Sequence, residues 1–164
     1  MTYISRLDLP ESVRKQAAAL LQARLSDALD LEAQAKQAHW NVKGPHFLQL
    51  HHLFDSVHTE VEGFVDLIAE RITTLGHVAD GRVQTTAART SLYEYPLQAV
   101  DGTDHLRALA GTLGQFGARV RADIDAATAT GDADTADLFT QISRETDKQL
   151  WFVEAHLVST GSAG

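Results

Sequence analysis

Apolar residues recur at spacings of three and four through most of the chain, a rhythm that predicts helix rather than strand. The first such stretch runs from about Pro10 to Trp40 and carries Val13, Ala17, Leu20, Leu21, Leu25, Ala28 and Leu31 on one face. Pro10 suits a first helical turn, where its missing N–H costs nothing, and Gly44-Pro45 forces a break. A second stretch, from about His46 to Leu75, presents Leu50, Leu53, Val57, Val61, Phe64, Ile68, Ile72 and Leu75, with Gly76 as a stop. From His77 to Gly102 the rhythm fails around Gly81, Pro96 and Gly102. A connection of that length can run from one end of a bundle to the other, and a short helix is expected in it near Thr85 to Arg89. Two further helices follow, Thr103 to Thr130 ended by Gly131, and one from Asp132–Thr135 to about Val158. The pattern predicts an all-α chain: a four-helix bundle with a long crossover and a short helix between its second and third long helices.

Two helical pairs joined by one crossover is a ferritin-like arrangement. The 164 residues are expected to form one such domain, with short tails at 1–9 and 159–164. There is no cysteine, so disulfides, thiolate metal sites and zinc ribbons are excluded. No apolar run reaches membrane length and the first residues lack the apolar stretch of a signal peptide, so a cytoplasmic protein with no membrane association is expected. The formal net charge of −8 disfavours nucleic acid phosphates, since the basic residues are scattered rather than clustered.

The polar positions of the second helix add more. His51, Asp55, His58, Glu62, Asp66, Glu70, Thr73 and His77 follow one another at steps of three or four, so they share a face. Such a stripe is often only a solvated face. Imidazole plus carboxylate without thiolate, however, suits iron and other borderline-to-hard ions. Asp55 and Asp66 are eleven residues apart, roughly 16 Å along a helix, too far to share one ion. If a second copy of the helix packs antiparallel across a two-fold axis between Glu60 and Val61, Asp55 falls opposite the partner's Asp66 and His51 opposite the partner's Glu70. His58 then faces a glycine, Gly63, which permits close approach. An isologous dimer of this kind has two equivalent metal sites at its interface. His39, at the end of the first helix, is carried back toward His51 and Asp55 by the Gly44-Pro45 turn.

The stretch Ala38-His39-Trp40-Asn41-Val42-Lys43-Gly44, then Phe47, Leu50-His51 and Phe54-Asp55, then Asp66-Leu67-Ile68-Ala69-Glu70-Arg71 with Leu75-Gly76, and finally Leu150-Trp151-Phe152-Val153-Glu154, resembles the Dps family of miniferritins. The similarity runs from about Leu7 to Leu157. It implies a homo-oligomeric hollow shell of twelve subunits that oxidises ferrous iron, with peroxide favoured over oxygen, and stores ferric mineral. His39, His51 and Asp55 are the ligands it implies from one subunit, with Asp66 and Glu70 from the two-fold partner. Zinc or another divalent ion would suit the same donors. Trp40 is implied as an acceptor of oxidising equivalents; the alternative for it is core packing. Asp132, Asp134 and Asp137 match the region that lines acidic three-fold pores in that family, although Asp132 also suits a helix N-cap.

Two departures stand out. The residues before Pro10 hold one basic group, Arg6, and those after His156 none, unlike the lysine-rich tail through which many Dps proteins bind DNA, so DNA binding is expected to be weak or absent. His77 replaces a glycine common in the family, and an extra metal position with His58 or His156 is one reading of it. No Glu has a His three residues later, which argues against the di-iron pattern of other ferritins. Competing functions are a DNA-binding, nucleoid-protecting protein whose metal site is secondary, and a purely structural helical oligomer.

Overall fold

The computed structural model describes residues 5–158; the proposed tail at 159–164 and the first four residues of the other tail lie outside them. Among the described residues there are five helices and no strand: α1 (Glu11–Asn41), α2 (Phe47–Thr74), α3 (Val83–Arg89), α4 (Gly102–Thr130) and α5 (Ala133–Ala155). α1 packs on α2, α4 packs on α5, and α1 joins the two pairs through α4. This is the expected all-α bundle. Pro10 stands just ahead of α1 as its N-cap rather than within the first turn, and α3 begins two residues earlier than expected.

The apolar faces meet in one core. Ala17, Leu21, Leu25, Ala28 and Leu31 of α1 are buried as the spacing predicted, whereas Leu20 is only partly covered. On α2 the seven residues Leu50, Phe54, Val57, Val61, Phe64, Ile68 and Ile72 are buried. Phe54 replaces Leu53 there: Leu53 only packs against the edge of the core. The steps from Leu50 then run four, three, four, three, four and four, a rhythm that differs from the predicted one at this position alone. Gly76 takes φ +86°, a left-handed conformation that ends α2 at little cost to glycine.

Polar groups, rather than apolar ones, fix the crossover. Asp27 of α1, fully buried, accepts from the Ser91 N–H at 2.7 Å and the Ser91 hydroxyl at 2.9 Å, and pairs with Arg24 at 2.9 Å. Asp30 accepts from the Thr90 hydroxyl at 2.6 Å, and Gln34 donates to the Tyr93 carbonyl at 2.9 Å. From the other side, Gln115 of α4 accepts from the Tyr93 N–H and donates to the Ser91 carbonyl, both at 2.9 Å. Ser91 and Tyr93 stand outside helix and sheet, so side chains of α1 and α4 satisfy their backbone groups instead.

Candidate metal centre

His39 and His51 meet where the end of α1 folds back on the start of α2. Val42 is buried and Gly44 takes φ +108°, so the chain reverses within a few residues. The two imidazoles stack with centroids 3.7 Å apart. Each is held by the other's backbone: His39 Nδ1 lies 2.8 Å from the His51 carbonyl, and His51 Nδ1 lies 2.8 Å from the His39 carbonyl. A carbonyl only accepts, so each Nδ1 carries the proton. Each Nε2 is left with an unshared pair free to bind a cation.

Asp55 lies one turn along α2, with Oδ1 3.8 Å from His39 Nδ1. It also receives a hydrogen bond from the Lys36 ammonium of α1. That bond, and then the Lys36 charge, hold the Asp55 carboxyl below the usual carboxylate range. Asp55 is therefore ionised wherever ordinary aspartates are. Lys36 was not singled out from the sequence; it stands one turn before His39 and is the cation already seated beside the carboxylate. Lys36→Gln is expected to tighten divalent-ion binding about 2–5-fold, the worth of a partly exposed ion pair, in an anaerobic equilibrium titration with Co(II). Unchanged affinity would mean that Lys36 and the metal do not compete.

Asp66 and Glu70 are exposed on α2, away from His39, His51 and Asp55. Among the described residues of one chain no three His, Asp or Glu side chains converge to hold an ion. The midpoint of α2, from Phe47 to Thr74, falls between Glu60 and Val61, the position of the two-fold inferred from the sequence. Shallow grooves flank the exposed Gly63, one lined by His52, Asp55, Ser56 and Glu60, the other by Glu32, Glu62 and Asp66. A Cβ on Gly63 would meet nothing within the chain.

Trp40 is 67% exposed, which rules out packing in this chain's core. The three extra histidines are not brought together. His58 lies against α1, its Nδ1 3.3 Å from the Glu32 carbonyl and 3.9 Å from a Glu32 carboxylate oxygen; burial pushes the Glu32 carboxyl up. His77 lies past the far end of α2, roughly 28 Å along the helix direction from His58. His156 is exposed after α5, bonded through Nδ1 to the Phe152 carbonyl at 2.8 Å, in a groove shared with Lys43 and His46. A joint metal position for His77 with either of the others is therefore not formed within the chain.

Asp132 is the N-cap of α5, accepting from the Thr135 N–H at 3.1 Å and the Thr135 hydroxyl at 2.6 Å. It is 1% exposed and paired with Arg71 at 2.8 Å, so it is not a free pore carboxylate. Asp134 and Asp137 are exposed, and they line one shallow groove with Glu70.

The connectivity of the bundle, two helical pairs joined by one crossover, is that of ferritin-like proteins. The ferritin-like domain profile matches residues 18–161. The DNA protection during starvation protein of Agrobacterium fabrum is 40% identical over 156 residues, which cover 95% of this chain and 96% of the relative. Among solved structures, Mycobacterium smegmatis Dps in its tetragonal form has a TM-score of 0.91 at 31% identity, covering 97% of each chain. Dps from Microbacterium arborescens in its high iron form has a TM-score of 0.85 at 34% identity, covering 93% of this chain and 99% of that one. The chain belongs to the ferritin-like family and, within it, to the Dps proteins. No helix among the described residues is long and apolar enough to cross a membrane.

Proposed function

We propose that this chain is a miniferritin subunit that oxidises Fe(II), with hydrogen peroxide as the preferred oxidant, at sites shared by two-fold-related copies. The ferric product would collect inside a hollow shell of twelve. The observation that carries this reading is the reciprocal His39–His51 clasp beside Asp55, which leaves two Nε2 atoms and a carboxylate at one end of α2 while Asp66 and Glu70 are exposed toward its other end.

Each part of the set has a chemical task. His39 and His51 supply neutral nitrogen donors whose orientation is fixed before iron arrives. Asp55 and the partner subunit's Asp66 and Glu70 add negative charge that favours the ferric state and leave open positions for oxidant. Peroxide accepts two electrons, one from each of two ferrous ions, and leaves as water without releasing a radical. Trp40, exposed next to His39, is placed in sequence to give up an electron when that pairing fails. Asp134 and Asp137 share a groove with Glu70, which supports their role in admitting iron.

Protection of DNA, in the sense of the relatives' name, would then follow from removing ferrous iron and peroxide rather than from binding. With a formal charge of −8 per chain, purified protein is expected to give no mobility shift of plasmid DNA at neutral pH and moderate salt. Saturable retardation at low protein concentration would favour the DNA-binding alternative. The direct test of the main reading is stopped-flow oxidation of anaerobically loaded Fe(II). Rapid consumption with peroxide, slower with oxygen, is the expected result, and a rate equal to that in buffer would sink it.

A further inference from the structure

Tyr95 and His105 form a titratable pair that the candidate centre does not use. Tyr95 comes from the crossover and His105 from the first turn of α4. The phenol oxygen and His105 Nδ1 are 2.6 Å apart, and the two ring planes lie within 22° of each other. His105 is 1% exposed and its ring centroid is 6.2 Å from that of Phe54, the buried residue next to Asp55. The Asn41 main chain favours the protonated imidazole, yet no partner meets hydrogen-bond geometry at Nε2. Asn41 directly follows Trp40. Burial pushes the His105 pKa down and the Tyr95 pKa well up, so at rest the phenol keeps its proton and donates it to a neutral imidazole.

A buried hydrogen bond that only ties the crossover down would account for the 2.6 Å contact. It does not account for a buried imidazole whose second nitrogen lacks a full partner, an arrangement that costs stability. What the arrangement does favour is transfer of the phenol proton to Nδ1. The base is already in contact, and the resulting imidazolium gains from the neighbouring Asn41 main chain.

We propose that Tyr95 and His105 act as a proton-coupled electron donor that discharges one-electron oxidants inside the bundle. Tyr95 gives one electron to an oxidant of the hydroxyl-radical class. Its O–H bond breaks and an N–H bond forms at His105 Nδ1, leaving a neutral phenoxyl and an imidazolium. The hydroxyl radical takes the electron and a solvent proton and leaves as water. A ferrous ion then returns one electron and becomes ferric, the imidazolium returns its proton, and the phenol is restored. The source of the oxidant rests on the ferroxidase reading above: one ferrous ion meeting peroxide supplies one electron where two are needed.

The test uses the assembled protein with no iron. A flash generates ruthenium(III) tris(bipyridine) in the presence of persulfate, and the tyrosyl radical is read by electron paramagnetic resonance. The expected signal is present in the native protein, retained in Tyr93→Phe and lost in Tyr95→Phe, which removes only a hydroxyl. Its formation is slower in D2O in the native protein, and that isotope effect is lost in His105→Gln. A signal that survives Tyr95→Phe, or one that forms at the same rate in H2O and D2O, overturns the proposal, and the second result needs no variant. A parallel arm replaces the flash with substoichiometric Fe(II) and peroxide. A radical in the flash arm alone would leave the pair standing and remove the metal centre as the source of the oxidant.

Discussion

Two inactive variants are expected to restore each other when they share a dimer. Asp66→Ala/Glu70→Ala keeps His39, His51 and Asp55 but lacks the carboxylates proposed to come from across the two-fold. His51→Ala/Asp55→Ala has the opposite defect. Each alone should oxidise Fe(II) about 100-fold or more slowly than the native protein, because even partners that only orient metal ligands are worth 10–100-fold. In a mixed dimer, one interface site joins the intact half of one chain to the intact half of the other, while the second site loses both halves. Random reassembly makes about half the dimers mixed, each with one of two sites, so about a quarter of the native rate should return. A site contained within one chain gives no recovery at any mixing ratio. The measurement is the initial rate of peroxide-driven Fe(II) oxidation after co-refolding, with assembly checked by light scattering.

That experiment tests a division of ligands first drawn from spacing alone, and the helices explain why it could be drawn. The distance from Asp55 to Asp66 is a property of any straight α-helix, so it needed no tertiary information. The same regularity made the four long helices and the stop at Gly76 legible. Tertiary contacts were not. Phe54 rather than Leu53 is buried because the three-and-four rhythm admits either, and packing against α1 and α4 decides. Asp27 lies among Arg24, Leu25, Ser26 and Ala28, all buried, and a stretch that mixes charged, polar and apolar residues gave no sign that its carboxylate is internal. Its partner, Ser91, is 64 residues away and could not be named. The groups that orient His39 and His51 are backbone carbonyls, which every residue has, so no side-chain pattern announces them. Lys36 was hidden for another reason: one lysine on an acidic chain reads as a solvated charge until Asp55 is seen beside it.

The second large effect is expected at Arg71, next to Glu70, one of the two carboxylates proposed to reach across the two-fold. Its guanidinium reaches from α2 to the start of α5, donating to Asp132 at 2.8 Å and to the Thr135 hydroxyl at 3.1 Å. Thr135 in turn donates twice to Asp132, so three residues close a ring of hydrogen bonds around a carboxylate that is 1% exposed. Arg71→Met removes the only ion-pair partner of Asp132 among the described residues and leaves a buried charge held by one residue's hydroxyl and amide. The cost of such a broken pair is about 3–5 kcal/mol, which for a chain of this size lowers the unfolding midpoint by on the order of 10 °C. Arg71→Met/Asp132→Asn should recover much of that loss. Asparagine keeps an oxygen for the Thr135 N–H and still caps α5, but brings no charge to bury. Thermal unfolding of both variants at matched protein concentration separates the explanations, since assembly and stability are linked by mass action. If the single variant unfolds within a degree or two of the native protein, the pair behaves as a surface contact. If the double variant is no better than the single, the loss comes from missing arginine packing, because removing the buried charge then brings no relief.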